Sequence, residues 1–404
     1  MPVIATYSLR RSTSQLLTMR AIALVILTLS LIFATSTLAA DNSALHAQTS
    51  ANSQEPPAAS VFKVVNTPHP NPNGFQNLLV SVSGSSASDI WAVGESVIHY
   101  NGSNWTAFSA PHIDGGGINE LTGVADISPD NVWAVGYLNL NEQNPNQLIE
   151  HYDGTAWKIN PGPKIPPTDV PILESVTAIS ASDIWAAGGI VIDNQAEFPL
   201  FEHFDGTSWT ATAAGFSGSV MFGVSADAKN DVWAVGFGGA ALHYDGKTWS
   251  PVTVPIPGLG ENALFGVKAL APNDAWAVGF YVKDANQSRP EITLIEHWDG
   301  TSWRFISSPN PGGSNKNNFL RGITAVSAKD VWAYGTSIDI STDLAKTLVL
   351  HWDGTRWAVV PSPDPVFKFP NDFLNGGAVF PTGDLWLVGG ETVFRSLALH
   401  ATGR

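Results

Sequence analysis

The sequence predicts an all-β fold, a seven-bladed β-propeller in which every blade is a four-stranded antiparallel sheet. The first observation is a short repeat, typified by Asp130-Asn131-Val132-Trp133-Ala134-Val135-Gly136. Its tryptophans are separated by as few as 42 residues (Trp91 to Trp133) and as many as 56 (Trp276 to Trp332). Self-similarity at this period indicates stacked supersecondary units. The seven copies contain Trp91, Trp133, Trp185, Trp233, Trp276, Trp332 and Trp386.

The second observation is the strand pattern inside each repeat, for which the second repeat serves as the example. Short apolar and β-branched runs bounded by turn residues predict strands over 121–125, 132–137, 148–152 and 157–159. A turn of the form Asp-Gly-x-x-Trp, which is a strong hairpin signal, precedes the fourth strand. Four-stranded units repeated in a circle define a propeller. The turn begins at Asn101, Asp153, Asp205, Asp245, Asp299 and Asp353.

The third observation is a strand that the seventh repeat lacks. This repeat ends in Leu397-Ala398-Leu399-His400 and has no fourth strand after it. A segment with fourth-strand character, Phe62 to Pro68, stands instead at the start of the repeat region, with no other strands before it. We therefore expect the N-terminal segment to pair as the outer strand of the last blade, which closes the ring and removes an open sheet edge.

These motifs resemble the kelch-type repeats of propellers such as that of galactose oxidase. In the kelch pattern a hydrophobic strand ending in Gly-Gly precedes a Tyr-Asp turn and a tryptophan, and here Trp-Ala-x-Gly and His-Tyr-Asp-Gly-x-x-Trp take these places. The turn also resembles the Asp-box of sialidase propellers. Two departures stand out: only Gly188-Gly189 and Gly389-Gly390 keep the glycine pair, and the Asp-to-Trp spacing is one residue shorter than in an Asp-box. The resemblance implies the architecture and carries no activity with it.

The chain divides into three parts. Residues 1–40 read as a signal peptide, because Arg10, Arg11 and Arg20 precede an apolar run that ends in small residues. Residues 41–60 are polar and proline-containing, which is typical of a flexible linker. The propeller occupies residues 61–404. We expect a secreted, extracellular protein, or a cell-surface protein if the signal is not cleaved.

Composition excludes several functions. The formal net charge is −15, which disfavours nucleic acid and anionic membrane surfaces as partners. The chain contains no cysteine, so disulfides, thiolate metal sites and cysteine nucleophiles are excluded. The copper site of galactose oxidase, which needs a Cys-linked tyrosine, is excluded for the same reason. The sequence predicts no catalytic residue, no metal site and no cofactor.

Residues that recur once per blade are assigned to structure. The tryptophans should form the core between blades, because each buried ring removes about 150–250 Å² of surface from water. The recurring histidines lie in different blades, too far apart to share one metal ion, and should serve packing and hydrogen bonding. They are His99, His151, His203, His243, His297, His351 and His400.

One position in the first strand of every repeat breaks this regularity. Its neighbours are always a large apolar residue before and a glycine or serine after, whereas the position itself varies in size and charge. The first strand should line the central channel, so we predict ligand contacts at the channel mouth, led by Glu174 and Arg321. The full set of predicted ligand-binding residues is Thr122, Glu174, Phe222, Phe265, Arg321 and Asn375. The first repeat has Val80 at this position, which is not among the predicted ligand contacts.

Long loops are expected on one rim, after the second strand of blades two, three, five and six. Loops carried on a rigid scaffold commonly supply binding residues. Side chains predicted on this rim are His112, Asp114, Phe198, Tyr281, Asp284 and Arg289.

The function predicted from these features is non-catalytic binding of a carbohydrate, peptide or protein on the loop-rich face by a monomeric propeller. The alternative is a secreted glycan-acting hydrolase or lyase with a carboxylate site at the channel mouth. A second acid or a histidine within reach of Glu174 is the feature that would favour the alternative.

Overall fold

The computed structural model describes residues 61–70, 77–111, 118–139, 146–192, 196–214, 218–285, 290–365, 371–391 and 395–402. Residues 57–404 form one compact unit. The expected signal peptide (1–40) and linker (41–60) lie outside the described residues, so both stay predictions.

The strands are numbered in chain order. The first two blades and the closing strand contain β1 Lys63–Val64, β2 Leu79–Ser86, β3 Asp89–Gly94, β4 Val97–Tyr100, β5 Trp105–Phe108, β6 Ile118–Ser128, β7 Asn131–Asn139, β8 Asn146–Tyr152 and β9 Trp157–Ile159. Blades three and four contain β10 Val170–Ser180, β11 Asp183–Ile192, β12 Ala196–Phe204, β13 Trp209–Ala213, β14 Met221–Ala228, β15 Asp231–Gly236, β16 Ala241–Tyr244 and β17 Trp249–Pro251. Blades five to seven contain β18 Asn262–Ala271, β19 Asp274–Val282, β20 Glu291–Trp298, β21 Trp303–Phe305, β22 Lys316–Ser327, β23 Asp330–Asp339, β24 Ala345–Trp352, β25 Trp357–Val359, β26 Asp372–Val379, β27 Leu385–Glu391 and β28 Arg395–Ala401, with a 3-10 turn at Gly313–Asn315.

Seven four-stranded antiparallel sheets confirm the predicted propeller. In six blades the strands pair in sequence order, and the seventh sheet has the order β1-β28-β27-β26. The fourth strand of blade two begins as predicted, at Trp157, and ends at Ile159. The first three strands of blade two are longer than the apolar runs that predicted them, because backbone pairing continues into polar residues at the strand ends.

The N-terminal strand closes the ring as predicted. Lys63 pairs with His400 and Val64 with Leu399, and the N–H of Val65 donates to the carbonyl of Ala398 at 2.9 Å. Next to this ladder, the ring of Phe62 packs edge-on against Trp332, with 6.4 Å between the ring centroids. The closing strand therefore contributes both hydrogen bonds and core packing.

Tryptophan forms the core between blades, which confirms the sequence interpretation. Trp133 of blade two packs against Phe204 and Trp209 of blade three, with centroids 4.8 and 5.5 Å away. The same contact recurs at the last junction, where Trp386 of blade seven meets Trp105 of blade one at 5.3 Å.

Each recurring histidine bridges its own blade, as the structural interpretation predicted. Its ring lies over the tryptophan of the second strand, as His400 does over Trp386 at 4.1 Å. Its Nε2 lies within hydrogen-bond distance of the Asp or Asn side chain two residues before that tryptophan. The pairs are His99–Asp89, His151–Asn131, His203–Asp183, His243–Asp231, His297–Asp274, His351–Asp330 and His400–Asp384.

The regions expected to be long loops are mainly extended hairpins. Strands β23 and β24 stay paired as far as Ile338 and Ala345, and β11 and β12 as far as Ile192 and Ala196. The loops expected after the second strands of blades six and three are accordingly shorter than predicted. Apolar residues such as Ile190, Ile192 and Ile338 lie within these paired extensions and suit strands.

Three blades carry a buried carboxyl group in the third strand. Glu150, Glu202 and Glu296 are 1%, 0% and 0% exposed, whereas the equivalent residues of the other blades are Ile98, Leu242, Leu350 and Leu399. Neither carboxyl oxygen of Glu296 has a hydrogen-bond partner. Burial raises the pKa of Glu296 to about 8, so its carboxyl group is mostly protonated at neutral pH.

We predict that Phe62→Ala lowers the free energy of unfolding by about 3 kcal/mol, because it removes a ring that is 4% exposed and packed at the closure. Urea denaturation measures the change. Val64→Ala, in the same strand but 46% exposed, is the control and should change stability by less than about 0.5 kcal/mol. Equal effects of the two variants would contradict a packed closure.

A second prediction concerns Glu296. Its pKa is raised from 4.5 to about 8 on folding, so its contribution to stability is complete below pH 4.5 and is lost as the pH rises towards 8. Glu296→Leu copies the residue of blades four and six, and should make the protein more stable at pH 9 than the parent by about 2–4 kcal/mol. Urea denaturation at pH 5, 7 and 9 tests this, with Glu261→Gln on the surface as the control. A parent and variant that respond equally to pH would refute it.

Candidate functional site at the channel mouth

A β-bulge occupies the same place in all seven inner strands, which are β2, β6, β10, β14, β18, β22 and β26. In β10, for example, Leu173 pairs with Gly188 and Ser175 with Ala187, which leaves Glu174 without a partner. The unpaired residues are those of the variable position: Val80, Thr122, Glu174, Phe222, Phe265, Arg321 and Asn375. Bulges re-aim a side chain and are frequent beside functional sites.

The register shift explains why the variable side chains behave separately from their neighbours. In a regular strand, alternation alone would turn such a side chain to the face opposite that of its neighbours. The bulge inserts an extra residue at that point, so strict alternation does not apply there. The variable position identified from the sequence is therefore the residue that the bulge leaves unpaired in each inner strand.

Close approach of neighbouring inner strands explains why the next residue is always small. A Cβ atom on Gly123 would lie 2.9 Å from the backbone nitrogen of Val176, in the next blade. Where serine replaces glycine, its hydroxyl bridges the two strands: the N–H of Val124 donates to Ser81 Oγ at 3.2 Å, and that of Val224 to Ser175 Oγ at 3.3 Å. These contacts fix the backbone on which the bulged residues stand.

Two of the predicted ligand-binding residues connect adjacent blades. The hydroxyl of Thr122 donates to the carbonyl of Leu173 at 2.8 Å, and the amide of Asn375 donates to the carbonyl of Leu79 at 3.1 Å. Both side chains therefore hold the ring together. Their part in ligand binding stays a prediction.

Phenylalanine side chains form one side of the site. Phe222 and Phe265 come from blades four and five, and their ring centroids are 5.3 Å apart. Phe280, in the second strand of blade five, stacks on Phe265 at 5.9 Å. This arrangement gives an apolar wall across two blades.

Arg321 adjoins the apolar wall. Its guanidinium carbon lies 4.6 Å from the ring centroid of Phe265 and 5.0 Å from that of Phe319. Within the described part of the chain it makes no hydrogen bond or salt bridge, although the charges of Glu291 and Glu174 act on it. Cation–π contacts with these two rings therefore stabilise its positive charge, and no described residue accepts a hydrogen bond from its N–H groups.

Carboxyl groups form another part of the site. The pKa of Glu174 is raised to about 8, mainly by burial and then by the charge of Glu120, while the charge of Arg321 opposes the shift. Glu120 accepts a hydrogen bond from the hydroxyl of Tyr137, and burial raises the pKa of Glu120 as well. Glu95, whose Oε2 accepts the N–H of Leu78 at 3.1 Å, has a pKa raised by burial to about 7.

Glu174 and Arg321, both identified from the sequence, influence each other's charge, although no salt bridge joins them. Four further residues were missed: Glu120, Glu95, Tyr137 and Phe319. A signal for Glu120 was present. The equivalent residues of the other repeats are all apolar, so one acid stands out in an otherwise apolar set: Leu78, Ile172, Val220, Ala263, Phe319 and Phe373.

The predicted rim residues are not gathered into one site. Tyr281 packs edge-on against Phe305 of the outermost strand at 6.2 Å, Phe198 packs against the core shared with blade two, and Asp284 is exposed. His112, Asp114 and Arg289 lie outside the described residues. Among the residues that the structure describes, no group of three or more His, Asp or Glu side chains could hold a metal ion.

Comparison with known proteins places the fold. No protein-family model matches the chain, and no curated protein matches it. Among solved structures, YCF48 bound to D1 peptide shares 15% sequence identity at a TM-score of 0.55, over 86% of this chain and 96% of that one. YCF48 from Cyanidioschyzon merolae shares 14% at a TM-score of 0.52, over 85% and 99%.

A WD40 protein is similar to the same extent. The RRP9 WD40 repeats share 10% sequence identity at a TM-score of 0.55, over 87% of this chain and 99% of theirs. At such identities the likeness shows the β-propeller fold alone. The kelch-like and Asp-box-like character of the repeats, and the galactose-oxidase type of propeller, stay predictions.

We predict opposite shifts in the pKa of Glu174, which is about 8 in the parent, when its two charged neighbours are neutralised. Arg321→Gln should raise this pKa, because a favourable positive charge is lost, and Glu120→Gln should lower it, because a repulsive negative charge is lost. NMR titration of side-chain ¹³C-labelled glutamate measures both, with Glu174→Gln providing the assignment. Shifts of the same sign would contradict the arrangement.

Proposed function

We propose that this protein is a secreted, non-catalytic β-propeller that binds a peptide or protein segment at the channel mouth on its loop-rich face. The observation that carries the proposal is the set of seven bulged residues. Repeats that are otherwise nearly uniform differ at this bulged position, where they carry an acid, an arginine and two phenylalanines among other residues. Because the side chain at this position differs from blade to blade, the propeller is suited to bind one specific ligand there.

The chemistry of the site supports a peptide as ligand. The ring pair of Phe222 and Phe265 suits an apolar side chain, while Arg321 and Glu174 supply a hydrogen-bond donor and a carboxyl group. Ligand sites commonly combine an apolar lining with a few well-placed polar groups. The D1 peptide bound by YCF48, a protein of the same fold, adds support for this class of ligand.

Secretion is part of the proposal and rests on residues 1–40. Within the described residues, no helix is long and apolar enough to cross a membrane. N-terminal sequencing of the exported protein tests this part: a mature chain that begins near residue 40 supports it, and retention of Met1 in the cytoplasm contradicts it.

A carbohydrate is the other ligand that this site could take, because sugar rings also stack on aromatic side chains. A glycan array probed with the labelled protein separates the two cases. Glycan binding that Phe222→Ala abolishes, without peptide binding, would replace a peptide with a carbohydrate in the proposal.

One observation favours a second candidate function, a glycan-acting hydrolase or lyase. The charge of Glu120 acts on Glu174, and the pKa of Glu174 is raised to about 8, as in a general acid that must remain protonated. Incubation with a panel of nitrophenyl glycosides and uronic-acid polymers tests it. Turnover that Glu174→Gln abolishes would support catalysis, and no turnover at any pH from 4 to 9 would argue against it.

We predict that Phe222→Ala weakens peptide binding at least about tenfold, because aromatic anchors in a binding site carry much of the affinity. Dodecapeptides selected by phage display on the parent protein serve as probes, and calorimetry measures their affinity. Phe305→Ala, in the outer strand β21, is the control and should leave binding unchanged. Loss of binding in the control but not in Phe222→Ala would place the site on the outer surface.

A further inference from the structure

We infer that Arg321 is the receptor for a carboxylate of the bound peptide, either its C-terminal group or the side chain of an acidic residue, and that Phe222 and Phe265 hold the neighbouring apolar side chain. The inference rests on the proposed function and specifies the ligand of the same site. Its basis is the geometry around the guanidinium group of Arg321. Two aromatic rings hold this group, and its N–H donors have no hydrogen-bond partner among the residues that the structure describes.

The first step concerns the orientation of Arg321. Two phenylalanine rings lie 4.6 and 5.0 Å from its guanidinium carbon, one from its own strand and one from blade five. Stacking of this kind limits the rotation of the planar group before any ligand arrives. A preorganised guanidinium loses less conformational entropy on binding than a free side chain does.

The second step concerns hydrogen bonds. Two other basic side chains of the propeller show what a carboxylate partner looks like: Arg304 contacts Asp299 at 2.5 Å and Lys316 contacts Asp339 at 3.1 Å. Arg321, by contrast, is largely buried and makes no hydrogen bond or salt bridge with the residues that the structure describes. Its fork of N–H donors matches the two oxygens of a carboxylate.

The third step concerns the charges that face Arg321. Glu174 and Glu291 act on Arg321, and Glu120 and Glu197 act in turn on Glu174. Burial raises the pKa of Glu174 to about 8, so this group is largely protonated at pH 6, and burial also raises the pKa of Glu120. At this pH the neutral Glu174 does not compete with a carboxylate of the ligand for the positive charge of Arg321. The net charge of the whole chain matters less at this range, because salt screens surface charges beyond about 8 Å.

The fourth step concerns the space beside the guanidinium group. Phe265 contacts Arg321 on one side and Phe222 on the other, so the charged group and the apolar wall are continuous. A carboxylate on Arg321 thus places the adjacent part of a peptide beside Phe222. A peptide that carries a carboxylate next to an apolar side chain, as at a C-terminal phenylalanine or leucine, can bind Arg321 and the apolar wall at the same time.

The experiment uses three libraries of acetylated hexapeptides with randomised neutral residues. The first library has a free C-terminal carboxylate, the second has a C-terminal amide, and the third has the amide and one internal glutamate. Mass spectrometry measures retention of each by the immobilised full-length protein at pH 6. We expect at least about tenfold stronger retention of the first or the third library than of the second.

Variants decide whether Arg321 is responsible. Arg321→Gln should remove the preference for carboxylate and still retain apolar amide peptides, whereas Arg304→Gln, on an outer strand, should behave as the parent. Arg321→Lys keeps the charge without the planar fork and should retain part of the preference. Circular dichroism and thermal unfolding confirm that each variant is folded.

Each outcome has one meaning. Preference for the first library alone identifies the C-terminal group, and preference for the third identifies an acidic side chain. A preference that weakens from pH 6 to pH 9, as Glu174 ionises, supports the inference further. Retention of all libraries without preference, or a preference that survives Arg321→Gln, overturns the inference while the proposed function stands. No retention of any library overturns both.

Discussion

Seven inner strands must converge on one axis, and the distance between neighbouring strands governs what the rest of the structure can do. Backbone lies against backbone at the glycine and serine positions, where a Cβ on Gly266 would come within 2.9 Å of Gly322 in the next blade. Such contact leaves no room for larger residues and no freedom for the strands to shift. The bulge next to this contact moves one side chain per blade out of the regular pattern. A rigid ring thus carries seven positions that are free to vary.

The repeats made the architecture predictable, because the tryptophan and histidine positions of every blade pack in the same way and six repeats share the Asp-Gly or Asn-Gly turn. Strand ends were less predictable. Strand β22 begins with Lys316 and Asn317, polar residues that carry no strand signal but continue the ladder opposite Asp339 and Ile338. Backbone pairing of this kind depends on the partner strand and leaves little trace in the local sequence.

The candidate site was predictable in part. Variation at one position identified Glu174 and Arg321, since symmetry elsewhere made the exceptions visible. The bulge itself was not predictable, because a register shift depends on two strands and the sequence presents them separately. Tyr137 and Glu95 escaped notice for a related reason: they lie at the end of the second strand, and pairing alone brings that end beside the start of the first. Phe319 was hidden because an apolar residue there looks like core.

Burial changes the electrostatic character of the molecule. The formal charge of −15 counts every carboxyl group as ionised. Several are enclosed by protein, however, and burial raises the pKa of Glu150, Glu202 and Glu296 to about 8. The folded protein is therefore less negative at neutral pH than its composition suggests, and its charge changes over a pH range in which most proteins titrate mainly histidine.

The closing strand has a consequence for how the protein acquires its structure. The hydroxyl groups of Thr67 and Ser396 are 2.7 Å apart in space and 329 residues apart in sequence. Each of the first six blades can form its sheet from consecutive residues, but the seventh needs both ends of the domain at once. A chain that leaves a ribosome or an export channel N-terminus first must hold its opening segment unpaired until the last hairpin emerges. Contacts of such separation form slowly, so completion of the ring should be the late step of folding, and the interval before it is when exposed strand edges are open to association.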